Sequence, residues 1–79
     1  MNDAPMSSKN RRLLLDAIRE TASLLDGRIP PTPEYPEPNS YGYLFKRVKD
    51  RFGASYRDLP DSYVERVLEF VSREARKFS

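Results

Sequence analysis

Tyr41–Val71, which reads YGYLFKRVKDRFGASYRDLPDSYVERVLEFV, decides the fold. Its first half places apolar residues at Tyr41, Leu44, Phe45, Val48 and Phe52. Its second half repeats the figure at Val64, Val67, Leu68 and Val71, continued by Ala75 and Phe78. Recurrence at three, four and seven residues puts each series on one stripe of a 3.6-residue helix and does not fit a strand's alternation. Gly53 lies between them, where a left-handed residue ends a helix. Two amphipathic helices on so short a link fold back on each other or on a third element.

The third element lies upstream. Leu14, Ile18 and Leu25 form a stripe, widened by Leu15, Thr21 and Ala22 on one flank and by Leu13 and Ala17 on the other. Asp16, Arg19, Glu20 and Ser23 occupy the opposite surface. Ser7 or Ser8 supplies the N-cap, and Gly27 after Asp26 supplies the stop. Lys9, Arg11 and Arg12 in the first turn oppose the macrodipole. The pattern predicts a helix over 8–26. Met1–Ser8 is small and polar with one proline, which predicts a disordered tail.

Between the first two helices runs RIPPTPEYPEPN, with Pro30, Pro31, Pro33, Pro36 and Pro38. A helix does not pass through these residues, and a central strand lacks the donors it needs. The expectation is an extended, polyproline-like strap over 28–39, touching the core through Ile29 and Tyr35. Pro30 with Pro33, and Pro33 with Pro36, have the P-x-x-P spacing that aromatic-grooved domains read; the same composition serves as a stiff spacer. Asn39 or Ser40 caps a second helix over 40–52. Gly42 weakens its first turn by about 1 kcal/mol against alanine, as though something packs close there. Tyr56 is expected to turn inward. Pro60 suits the start of a third helix over 60–78, with Ser62 and Glu65 as an alternative capping box and Leu59 and Val64 as a staple. The predicted fold is all-α: a single three-helix domain over 9–79 with a proline-rich extended crossover between helices 1 and 2.

An aromatic, then Leu44-Phe45, a basic run, Arg51-Phe52-Gly53, Ser55-Tyr56-Arg57-Asp58-Leu59-Pro60 and an apolar helix ending Leu68-Glu69-Phe70-Val71 resembles the C-terminal helical domain of phage antirepressor and Rha-type regulatory proteins. In that family a helix comparable to Arg11–Leu25 precedes the motif, and a separate N-terminal domain precedes both. This sequence departs from the family in its short Gly53-Ala54-Ser55 link and in its proline strap. The resemblance covers about half the chain and implies a phage or prophage origin and a part in regulating genes or handling DNA. It implies no catalytic residue.

Composition narrows the function from the other side. The 79 residues include no cysteine and no histidine, which removes disulfides, thiolate metal sites, the commonest zinc ligand and the commonest general base near neutral pH. The longest apolar run, Leu13–Leu15, is too short for a membrane span or a signal-peptide core, so a cytoplasmic chain with no membrane association is expected. Asp58 with Asp61, and Glu65 with Glu69, read as helix-start and outer-face carboxylates rather than as catalytic pairs. No glycine loop cradles a phosphate. The expectation is therefore a non-enzyme with no cofactor, no metal and no small-molecule substrate.

Binding remains, in two forms. Tyr63, Phe70 and Phe78 on helix 3, with Leu13, Ala17 and Leu24 on helix 1, exceed the width a three-helix core covers and point to a protein partner or a homo-oligomer. The strap covering one of those faces is the other explanation. The net charge is only +2, but Lys46, Arg47, Lys49, Arg51 and Arg57 face Asp50 alone within 41–57. That stretch is either a solvated helix face or a set of phosphate contacts in a helix-turn-helix-like DNA-binding domain. Helix 3, with Asp61, Glu65, Glu69 and Glu74, is a poor surface to insert into a groove.

Overall fold

The computed structural model describes residues 5–78, and these fold as an all-helical domain. The helices are α1 (Ser8–Leu25), α2 (Ser40–Phe52) and α3 (Val64–Lys77), with 3₁₀ turns at Tyr56–Asp58 and Asp61–Tyr63. Among the described residues no helix is long and apolar enough to cross a membrane.

The helix ends follow local chemistry. The Ser7 hydroxyl accepts from the Asn10 N–H at 3.2 Å, and Asn39 Oδ1 accepts from the N–H groups of Tyr41 and Gly42 at 2.9 and 3.4 Å. Gly53, at φ 82°, donates its N–H to the Lys49 carbonyl and closes α2. Its conformation is one that side-chain-bearing residues avoid. The Ser62–Glu65 box does not form. Pro60 leads instead into the 3₁₀ turn, the Tyr63 N–H donates to the Pro60 carbonyl at 3.0 Å, and α3 begins at Val64 with no side-chain cap. A turn that already delivers the chain in helical geometry leaves no role for the box.

Leu14, Ile18 and Leu25 of α1, Leu44 and Val48 of α2 and Val67 of α3 are completely buried. Val71, Ala22, Leu59 and Tyr56 complete the interior, Tyr56 turned inward and stacked on Phe45 at 5.7 Å. α1 is the hub: α3 and α2 both pack on it more extensively than they pack on each other. Large rings span the remaining α2–α3 seam. Phe52 makes edge-on contacts with Tyr63 at 6.1 Å and Phe70 at 5.8 Å, and Tyr43 does so with Phe78 at 5.6 Å.

Other expectations also need correction. The disordered tail does not extend through residues 5–8. Met6 is 2% exposed within the core, Pro5 bridges to Pro60, and the Ser7 N–H donates to Asp61 Oδ1 at 2.9 Å. Burying one long thioether supplies the reason for this order; residues 1–4, the rest of that expectation, lie outside the described residues. The strap is not extended throughout. Thr32 and Tyr35 exchange both backbone hydrogen bonds at 3.0 Å, and Thr32 Oγ1 also accepts from the Tyr35 N–H at 3.1 Å. Pro33, with its fixed φ, sits at the second position of this tight turn. Ile29 does pack against the core, whereas Tyr35 is 55% exposed and lies beneath Lys46, whose Nζ is 5.9 Å from the ring.

Candidate functional site

The most organised polar group is one that sequence reasoning placed on the outer surface. Glu74 is only 4% exposed. Tyr43 Oη donates to its Oε1 at 2.9 Å, Arg47 donates through Nε at 3.3 Å and Nη2 at 3.4 Å, and Lys77 Nζ lies 3.6 Å from Oε2. Burial pushes the Glu74 carboxyl upward, but the hydrogen bonds from Arg47 and Tyr43 and the nearby cations outweigh it, leaving it below the ordinary range. Burial, followed by the hydrogen bond to Glu74, raises the Tyr43 phenol. A signal was present: Val67, Val71 and Glu74 share one stripe, and Tyr43 and Arg47 lie one turn apart on α2. The group closes the seam between α2 and α3.

Asp61 has a similar structural role. It accepts from the Ser7 N–H and, at 2.8 Å, from Asn10 Nδ2, and these two bonds hold its carboxyl below the usual range, the Ser7 bond most of all. The start of α1 is thereby tied to the approach of α3.

The cations of 41–57 do not form one free patch. Arg47 is drawn to Glu74 and over the Phe70 ring, Lys46 covers Tyr35, and Arg51 lies 5.6 Å from the Phe52 ring. Lys49 and Arg57 are exposed and, among the described residues, make no ion pair or ring contact.

The apolar candidates also divide. Tyr63, Phe70 and Phe78 are half-buried in the seam, so α2, rather than the strap alone, takes up much of the extra width of α3. On α1, Leu13 is 47% exposed and Leu24 68%, with half-buried Ala17 between them. Tyr41, expected on the apolar stripe of α2, is exposed because the stripe's first turn extends past the core, and Tyr35 is exposed as well.

Between strap and α2 lies a groove of about 630 Å³. Ile29, Pro30 and Tyr35 of the strap, Gly42, Tyr43 and Lys46 of α2, and Phe78 line it. A smaller hollow of about 300 Å³ adjoins Leu24, Leu25 and Ala75. No protein family, curated protein or solved structure matches the chain.

Proposed function

We propose that the chain is a non-enzymatic binding module of a phage-type regulatory protein, engaging a protein partner or a second copy of itself through the outer face of α1. The observation that carries this reading is the outward stripe of Leu13, Ala17 and Leu24. Its two leucines remain about half exposed or more after the core is complete. Residues four and eleven apart return to one side of a helix, so the three form a single contact strip. The resemblance of the Tyr41–Val71 pattern to the antirepressor family supports the regulatory setting.

Sedimentation of the wild-type chain and of a Leu13→Glu/Leu24→Glu variant tests it. A mass that rises with concentration in the wild type and not in the folded variant supports self-association. A monomer at every concentration confines the reading to a foreign partner, which a photo-crosslinker at position 24 should capture in the cells of origin. No adduct there, relative to the same crosslinker at exposed position 72, would sink the proposal.

A duplex-binding reading draws on the local excess of positive charge, now centred on Lys46, Lys49, Arg51 and Arg57, since Arg47 is held by Glu74. A gel shift at low ionic strength decides it: absence of binding removes this reading. Binding that weakens steeply with salt, with a slope flattened by alanine at Lys46, Lys49 and Arg51, supports it.

A further inference from the structure

We infer that the groove between the strap and α2 is a docking site for an extended segment of a partner protein carrying arginine and proline. It shares no residue with the outer stripe of α1 and stands independently of it.

The first observation is concavity. A groove of about 630 Å³ falls within the range of roughly 300–1,000 Å³ typical of ligand sites. Ile29, Tyr35, Tyr43 and Phe78 supply apolar and aromatic surface.

The second is Gly42. It lies inside α2 and is exposed, where glycine weakens a helix. Its own neighbours give no reason for it: an added Cβ would meet nothing nearer than the Asn39 Cβ at 3.9 Å. The expectation that part of this molecule packs closely against Gly42 is therefore not met. The bare Cα faces the groove and leaves room for close approach by an occupant.

The third is charge. Arg47 is paired with Glu74, whereas Lys46, over the neutral Tyr35 ring, keeps its positive charge. Glu34 and Asp50 also line the groove, and among the described residues neither makes an ion pair or a side-chain hydrogen bond; Asp50 feels Arg47 only at longer range. Against the single charge of Lys46 the two carboxylates leave the groove one negative charge in excess, so the complementary occupant is cationic.

The groove's apolar lining also selects the backbone. Tyr35 and Tyr43 suit a proline-rich backbone, because preformed polyproline segments dock between aromatic rings at little cost in ordering. The strap of a second copy does not qualify, because the Thr32–Tyr35 turn interrupts its Pro30–Pro33–Pro36 track.

The test is a fluorescence-polarisation titration of the full chain with labelled acetyl-Ala-Pro-Pro-Arg-Pro-Pro-Arg-Pro-Ala-amide. Glutamate-for-arginine and serine-for-proline versions serve as controls. The expected result is saturable binding of the first probe, with each control weaker by roughly tenfold or more. Gly42→Leu, which fills the groove wall while favouring the helix, should weaken binding by about tenfold, and Glu34→Lys/Asp50→Lys should do the same. Leu13→Glu/Leu24→Glu should leave it unchanged, separating this site from the α1 surface. Circular dichroism confirms that each variant is folded. No saturable binding at millimolar probe, equal binding of either control, or full binding by folded Gly42→Leu would overturn the inference.

Discussion

Glu74 places a charge where the α3 stripe would otherwise take an aliphatic residue. Glu74→Gln keeps the shape but leaves Arg47 and Lys77 facing a neutral amide. Breaking a fully buried pair costs several kcal/mol, but Arg47 is 38% exposed, so the expected loss is about 1–2 kcal/mol. A melting temperature lower by roughly 5–15 °C would report it. The pH dependence follows from the direction of each shift. The Glu74 carboxyl lies below its ordinary 4.5, so on acidification the unfolded chain binds the proton first. The stability it contributes is present above 4.5 and is lost as pH falls through the lower folded value. Asp61, also held low, acts in the same sense below its ordinary 3.8. Tyr43 is raised above 10.0, so its contribution is present below that pH and is lost as pH rises through the folded value. Thermal melts across pH should show an acid limb reduced by Glu74→Gln and an alkaline limb reduced by Tyr43→Phe. Superimposable limbs in variant and wild type would contradict this account of the seam.

At the scale of elements, α1 is fastened ahead of its first turn. Met6→Ala should cost about 2–4 kcal/mol in urea unfolding, the range for deleting a buried methionine side chain; no measurable loss would place that segment in solvent. Two glycines bounding α2 should respond oppositely to alanine. Gly42→Ala is expected to stabilise by about 0.5–1 kcal/mol, because the site is helical and has room for a methyl. Gly53→Ala should destabilise by about 1–2 kcal/mol, because φ is 82°. Matched urea midpoints for the two would refute that contrast. These elements also show what the sequence makes legible. The bounds of α1 and α2 could be read because stripes and caps are local, Ser7, Asn39 and Gly53 each acting within one turn. α3, expected from residue 60, begins only at Val64 because a 3₁₀ turn intervenes. Met6 could not be placed, because a single apolar residue in a polar string has no period and its burial depends on α1 meeting the approach to α3. The Thr32–Tyr35 turn was hidden by a composition that suits polyproline equally well. Glu74 was misplaced because its charge was read before its position. The groove depends on the strap lying along α2, a long-range arrangement that no local pattern encodes.

As a whole the molecule measures 43 × 21 × 18 Å, about two helix diameters in its short directions. No helix is enclosed on every side, and a core this thin leaves a small margin, on the order of 4–12 kcal/mol for a domain of this size. Leu14→Ala, at a residue of the hub helix with no exposed surface, should remove about 2–4 kcal/mol of it. The loss should appear as one cooperative transition at lower denaturant, read alike by circular dichroism and tyrosine fluorescence. Two separated transitions would mean that α2 and α3 do not share the α1 core. The seam between those two, spanned mainly by rings and one carboxylate rather than by close backbone contact, has a consequence for the order in which the fold loosens. α2 should part from α3 at lower free energy than either parts from α1, taking the strap with it. Deuterium should therefore enter the amides of 44–52 sooner than those of 14–22 or 67–74, and equal protection in all three would mean that the molecule breathes only as one piece.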